Sequence, residues 1–204
     1  MIFVFDLDDT LCETDLYSEY YIKEYIKKNN LPYKQIAKVT RFADMKFDWS
    51  QEIANSWYKQ HGDIMFLHFP VKGNSVDIIN KLYDDGHTII IATARSTDWH
   101  SQPEKMTLIW LEKVGLKYHK LYVGRSDKEE ICKEENADVF VDDDIDIVTR
   151  VNKCFKLRNK GKAFLSKTNY NKKLNISPEI TVIDNLDNML ESLNINVDKD
   201  IKQI

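Results

Sequence analysis

Short apolar runs alternate along this chain with longer stretches in which apolar residues recur every three or four positions. The runs are Ile2–Phe5, Thr88–Ala92, Lys120–Val123, Val139–Val141 and Ala163–Leu165. Their length suits strands better than helices. The first, second and fourth are apolar without interruption, the pattern of parallel strands buried on both faces. Residues Asn74–Asp85 place Val76, Ile79, Leu82 and Tyr83 at helical spacing and stop at Gly86. Residues Glu104–Val114 repeat the design, with Pro103 at the start, Met106, Ile109, Trp110 and Val114 on one face, and Gly115 at the end. Further helices are predicted from near Lys128, Asp146 and Asp184. Alternation of this kind predicts an α/β fold, a Rossmann-like parallel sheet flanked by helices.

One region departs from the alternation. Between Asp15 and Pro70 every pattern is helical. Leu16–Asn29 has i, i+4 pairs such as Leu16/Tyr20 and Ile22/Ile26, Pro32 opens a second stretch, and Ser50 reads as an N-cap for Gln51–His61. The block reads as a small helical cap inserted after the first strand, with Pro70–Gly73 as the return. The expected division is a core of residues 1–13 and 74–204 and a cap of residues 14–73.

Composition narrows the function classes. The chain has 204 residues, 43% hydrophobic and 30% charged, which suits a folded soluble domain with a modest insert. A net charge of −4 argues against binding duplex nucleic acid, which calls for a basic stripe. A small anionic substrate stays compatible if local lysines and a metal offset the acids. Cys12, Cys132 and Cys154 lack CxxC spacing, which argues against a disulfide framework or a zinc ribbon. No run approaches the length of a membrane span, and the N-terminal apolar stretch is too short for a signal peptide. The expected setting is cytoplasmic, away from membranes. The five histidines show no metal-ligand spacing and read as packed or exposed side chains. The acidic run at Asp142–Asp146 lacks the glycine and terminal glutamate of a calcium loop.

The first strand runs into Asp6-Leu7-Asp8-Asp9-Thr10. In a strand, residues i and i+2 point the same way, roughly 6–7 Å apart. Asp6 and Asp8 can therefore work on one substrate, one as nucleophile and one as general acid. Alone, such a pair reads more readily as an Asp-rich turn. It is not alone. The second strand ends at Thr93-Ala94-Arg95, and the Val139–Val141 strand ends at Asp142-Asp143-Asp144. Parallel strands bring their C-termini to one edge, where ligands bind. Lys128, opening the preceding helix, reaches the same edge. A carboxylate attacking a phosphate dianion needs a hard cation and a lysine to offset the repulsion. Magnesium, with its oxygen ligands, suits this set.

Asp6, Asp8, Thr10, Thr93, Lys128, Asp142 and Asp143 together resemble the four ordered motifs of the haloacid dehalogenase superfamily of phosphohydrolases. The resemblance implies that Asp6 forms an aspartyl-phosphate. It implies that Asp8 protonates the leaving oxygen and later deprotonates water. It places Mg2+ at the Asp6 carboxylate, the Asp8 carbonyl and Asp142, with Asp143 helping through water. The superfamily's dehalogenases lack an acid at the position of Asp8, so phosphate chemistry is expected. A helical insert directly after the first motif is similar to the C1 cap class, whose substrates are small. The stretch Thr88–Asp144 is also similar to the bacterial 5′(3′)-deoxyribonucleotidase-like group. That likeness implies a nucleoside monophosphate substrate. Arg95 and the backbone at Ala94, with Thr93 and Lys128, would hold its phosphate. Phe42, Phe47, Trp49 and Trp57 would be available to stack on a base, with Arg41 and Lys46 nearby. Other small phosphomonoesters (a sugar or vitamin phosphate, or a polynucleotide end) are the alternative. A non-catalytic module would break the motif set, and no motif is broken.

Overall fold

The computed structural model describes residues 1–195 apart from Arg41 and Trp99. Six strands form one all-parallel sheet: β1 (Ile2–Phe5), β2 (Thr88–Thr93), β3 (Lys120–Val123), β4 (Val139–Asp142), β5 (Lys162–Ser166) and β6 (Thr181–Ile183), in the order β3-β2-β1-β4-β5-β6. The three uninterrupted apolar runs are the three neighbouring strands β2, β1 and β4, as burial on both faces requires.

Side chains alternate across the sheet with the two-residue period of a strand. Phe3, Phe5, Ile89, Ile91, Val139 and Val141 face one layer, formed by α3 (Ser75–Asp84), α4 (Pro103–Val114) and α7 (Leu186–Ser192). Val4, Ile90, Ala92, Phe140, Ala163 and Leu165 face the other, formed by α5 (Lys128–Glu134) and α6 (Ile145–Leu157). Each fully buried Phe or Ile contributes on the order of 2 kcal/mol by leaving water.

Residues between β1 and α3 include α1 (Thr14–Lys28), one 3-10 turn (Ala43–Lys46) and α2 (Gln51–Phe66). The two chain segments that lead into and out of this block bond to each other: Glu13 N–H donates to the Pro70 carbonyl at 3.0 Å and Lys72 N–H to the Leu11 carbonyl at 2.9 Å. Trp110 Nε1 of α4 donates to the Phe69 carbonyl at 2.8 Å, tying the end of the block to the helical layer.

Three expectations need correction. The stretch from Pro32 is not helical: its described residues are irregular up to the 3-10 turn, with an antiparallel bridge between Gln35 and Phe47. Helix α2 does not stop at His61 but runs through Gly62 to Phe66. Strand β6 has no counterpart in the sequence reading; it has three residues, and Val182 points to solvent.

Candidate active site

The sheet edge gathers the motif residues. Asp6 follows β1, and its N–H donates to the Val141 carbonyl at 2.9 Å, so β4 fixes where the Asp6 side chain leaves the sheet. Asp142 ends β4, one strand over. Lys128 is the first residue of α5 and is 2% exposed, lying between the two. Its Nζ donates to Asp6 Oδ1 and, at 2.7 Å, to Asp142 Oδ2. Carboxylate oxygens of Asp6, Asp142 and Asp143 lie within 4.8 Å of one another. Three carboxyl groups here outnumber one ammonium.

Burial first, and this crowding of acids second, raises the proton affinities of Asp6 and Asp143. Burial pushes Asp6 up to about 7; Lys128 opposes the rise, and Asp142 and Asp8 add to it. Burial, then Asp142 and Asp6, push Asp143 well above the carboxylate range. Lys128 is raised because Asp142 and Asp6 outweigh its own desolvation. The loop after β5 holds Asp143: the Tyr170 hydroxyl donates to its carboxylate, and Asn171 Nδ2 donates to its carbonyl at 3.0 Å. Tyr170 and Asn171 were not found in the sequence, because they lie in a polar loop with no motif or period.

Asp8 has a different environment. Arg95 Nε donates to Asp8 Oδ2 at 2.8 Å and Arg95 Nη2 to Oδ1 at 2.7 Å, a bidentate pair. Thr14 Oγ1 donates to Oδ1 at 2.8 Å, and the Thr93 hydroxyl approaches Oδ2 at 3.4 Å. Burial alone would raise the proton affinity of Asp8; Arg95 and Thr14 outweigh it and hold the carboxyl below its ordinary range. The Arg95 side chain, expected on the phosphate, is thus spent on Asp8.

The remaining acids serve the backbone. Asp9 has φ 53°, and its Oδ1 accepts from the N–H groups of Thr14 and Asp15 at the start of α1. Asp144 is the N-cap of α6, accepting from Asp146 N–H at 2.8 Å.

The edge opens into a cavity of about 290 Å³. Asp6, Asp8, Thr93, Ala94, Arg95, Lys128, Asp142 and Asp143 line it, facing an apolar wall of Phe42, Tyr58, Met65, Phe66 and Phe69 with His100. Of the aromatics singled out from sequence, Phe42 reaches the cavity. Phe47, Trp49 and Trp57 pack on one another, with centroids 5.8 and 5.9 Å apart. Lys46 is buried in ion pairs with Asp15 and Glu19, and Arg41 lies outside the described residues. Tyr58 and Phe66 were missed for lack of a motif, and Phe66 also lies beyond the predicted end of its helix. His100 was set aside for lack of metal-ligand spacing.

This architecture is the fold of the haloacid dehalogenase superfamily hydrolases. A haloacid dehalogenase-like hydrolase from Streptococcus pneumoniae superposes with a TM-score of 0.61 at 12% identity, over 94% of this chain and 97% of its own. A D,D-heptose 1,7-bisphosphate phosphatase from B. bronchiseptica, solved with magnesium and phosphate, superposes with a TM-score of 0.54 at 11% identity, over 95% and 97%. In sequence, a Bacillus cereus protein named "Putative nucleotidase" is 27% identical over 187 residues, 89% of this chain and 93% of that protein. No family model matches the chain. No helix among the described residues is long and apolar enough to cross a membrane.

Proposed function

We propose that this protein is a magnesium-dependent phosphomonoesterase that transfers the phosphoryl group to Asp6, with (deoxy)nucleoside monophosphates as substrates. The observation that carries the reading is the meeting of Asp6, Lys128, Asp142 and Asp143 at the floor of one cavity. An all-oxygen donor set in which three carboxyl groups outnumber one ammonium fits Mg2+. Asp6, the Asp8 carbonyl and Asp142 would hold it, with Asp143 acting through water. When bound, the cation neutralises charge on the phosphate and the carboxylates.

In this reading an Asp6 carboxylate oxygen attacks phosphorus and the ester P–O bond breaks. Asp8 gives a proton to the leaving oxygen. Water then attacks the acyl phosphate, Asp8 takes its proton, and inorganic phosphate leaves with Asp6 restored. The phosphate dianion raises the proton affinity of the neighbouring Asp8, which is what the first step needs. Lys128 keeps Asp6 in place and offsets its charge, while the Thr93 hydroxyl and the backbone at Ala94 meet phosphoryl oxygens. Residues 14–73 act as the cap over the site. The substrate assignment draws on the aromatic residues of the apolar wall, which suit a base, and on the nucleotidase name of the Bacillus cereus relative.

Steady-state assays of nucleoside monophosphates against sugar phosphates, with Mg2+ and with EDTA, test both halves. Hydrolysis that needs Mg2+, vanishes in Asp6→Asn and favours nucleotides is expected. Equal or faster sugar phosphate turnover sinks the nucleotide assignment; no phosphomonoester turnover sinks the enzyme.

A further inference from the structure

Arg95 is 5% exposed, and its guanidinium is fully engaged within the protein. Nε and Nη2 take the two oxygens of Asp8, and Nη1 donates to Thr107 Oγ1 of α4 at 3.3 Å. Thr107 is itself fully buried and donates to the Pro103 carbonyl at 2.7 Å, so this partner is fixed. One face of the guanidinium lies over the Phe66 ring, 3.8 Å from its centroid. Phe66 is the last residue of α2. The Arg95 backbone N–H meets Thr93 Oγ1 at 3.3 Å, closing the strand-end turn beneath.

We infer that Arg95 is a positioning residue for Asp8, not a phosphate ligand, and that through Phe66 it makes the placement of Asp8 depend on helix α2. The inference rests on the reading of Asp8 as the proton-transferring carboxylate. A carboxylate three residues beyond a strand end rotates freely about χ1 and χ2 unless held, and a bidentate arginine fixes its plane. A guanidinium spent in this way reaches a phosphate only by leaving Asp8. Phe66 and Thr107 close off that movement from two sides.

The two roles separate in kinetics. Arg95→Met and Arg95→Lys are compared with wild type for kcat, KM and product inhibition by inorganic phosphate, with Mg2+ present. A positioning role predicts that kcat falls by about 100-fold or more, the scale of general acid–base catalysis. KM and the inhibition constant of phosphate stay within about threefold. Arg95→Lys keeps the charge but not the fork, so it shows the same split even if Arg95→Met fails to fold. Phe66→Leu keeps apolar bulk without the aromatic face and lowers kcat with the phosphate constant unchanged. A tenfold or greater weakening of phosphate inhibition in Arg95→Lys overturns the inference and returns Arg95 to the phosphate. Wild-type kinetics in Phe66→Leu overturns the link to α2. A wild type without Mg2+-dependent turnover overturns the functional reading, and the inference with it.

Discussion

At the scale of single residues, the site contrasts two ways of burying an acid. Asp8 is paired one-to-one with an arginine, whereas Asp6 and Asp142 share one lysine, with Asp143 beside them on the Tyr170 hydroxyl. Lys128 is therefore a position where stability and the proposed chemistry are tested together. Lys128→Met removes the ammonium from a buried cluster, and breaking such a pair costs about 3 kcal/mol or more. Denaturant melts of the variant should show that loss, and assays should show no turnover. A variant as stable as wild type would mean that the acids are not held by the lysine. Sequence reading located every member of this cluster, because each sits at a strand end or a helix start, where local pattern fixes its place. The pairing of Arg95 with Asp8 was not legible there, because position along the chain does not say which of its neighbours a long side chain will meet. The same limit applied to Phe47, Trp49 and Trp57: aromatic content was visible, but which rings pack on each other depends on the path of the irregular segment after Pro32.

At the scale of elements, the central strands were legible because burial on both faces leaves only apolar residues, while β6 was not, being three residues long with one side chain outward. The junctions carry their own tests. Gly161, between α6 and β5, has φ 101°, and an added Cβ would stand 2.7 Å from the Phe155 ring. Gly161→Ala should cost about 1–3 kcal/mol in a denaturant melt, since both strain and overpacking oppose it. At the opposite end of the strands, Asp138 Oδ2 accepts from Ile2 N–H at 2.7 Å, and Oδ1 pairs with Lys160 at 2.9 Å. Burial opposes ionisation of Asp138, but Lys160, the Ile2 N–H and the N-terminal amine outweigh it and hold its carboxyl below the ordinary value. The unfolded chain therefore binds this proton more tightly than the folded one. The contribution is fully present above about pH 4, the ordinary value, and is lost as pH falls through the lower, folded value. Asp138→Asn should lower stability at pH 7 by about 1 kcal/mol or less, and the difference from wild type should shrink in melts taken toward pH 3. A constant difference across that range would exclude ionisation as the cause.

At the scale of the whole molecule, a cation that binds the folded carboxylate cluster must stabilise the fold. Mg2+ at a hundred times its dissociation constant should add about 2.7 kcal/mol, read as a rise in Tm that EDTA reverses. Asp142→Asn, which removes one donor, should flatten that response. The order of the sheet has a further consequence, for synthesis. Strand β1 carries the proposed nucleophile, yet its two neighbours are β2 and β4, so Phe5 waits for Ile91 and then for Val141 before it is flanked. Closing such distant contacts is slow, and an unpaired apolar strand is aggregation-prone meanwhile. On the ribosome, the nascent chain must carry Asp6 without its ion-pair partner until Lys128 has cleared the exit tunnel. Asp6 thus meets its lysine first and its fellow acids later, and no nascent chain that stops short of Asp143 can complete the cluster.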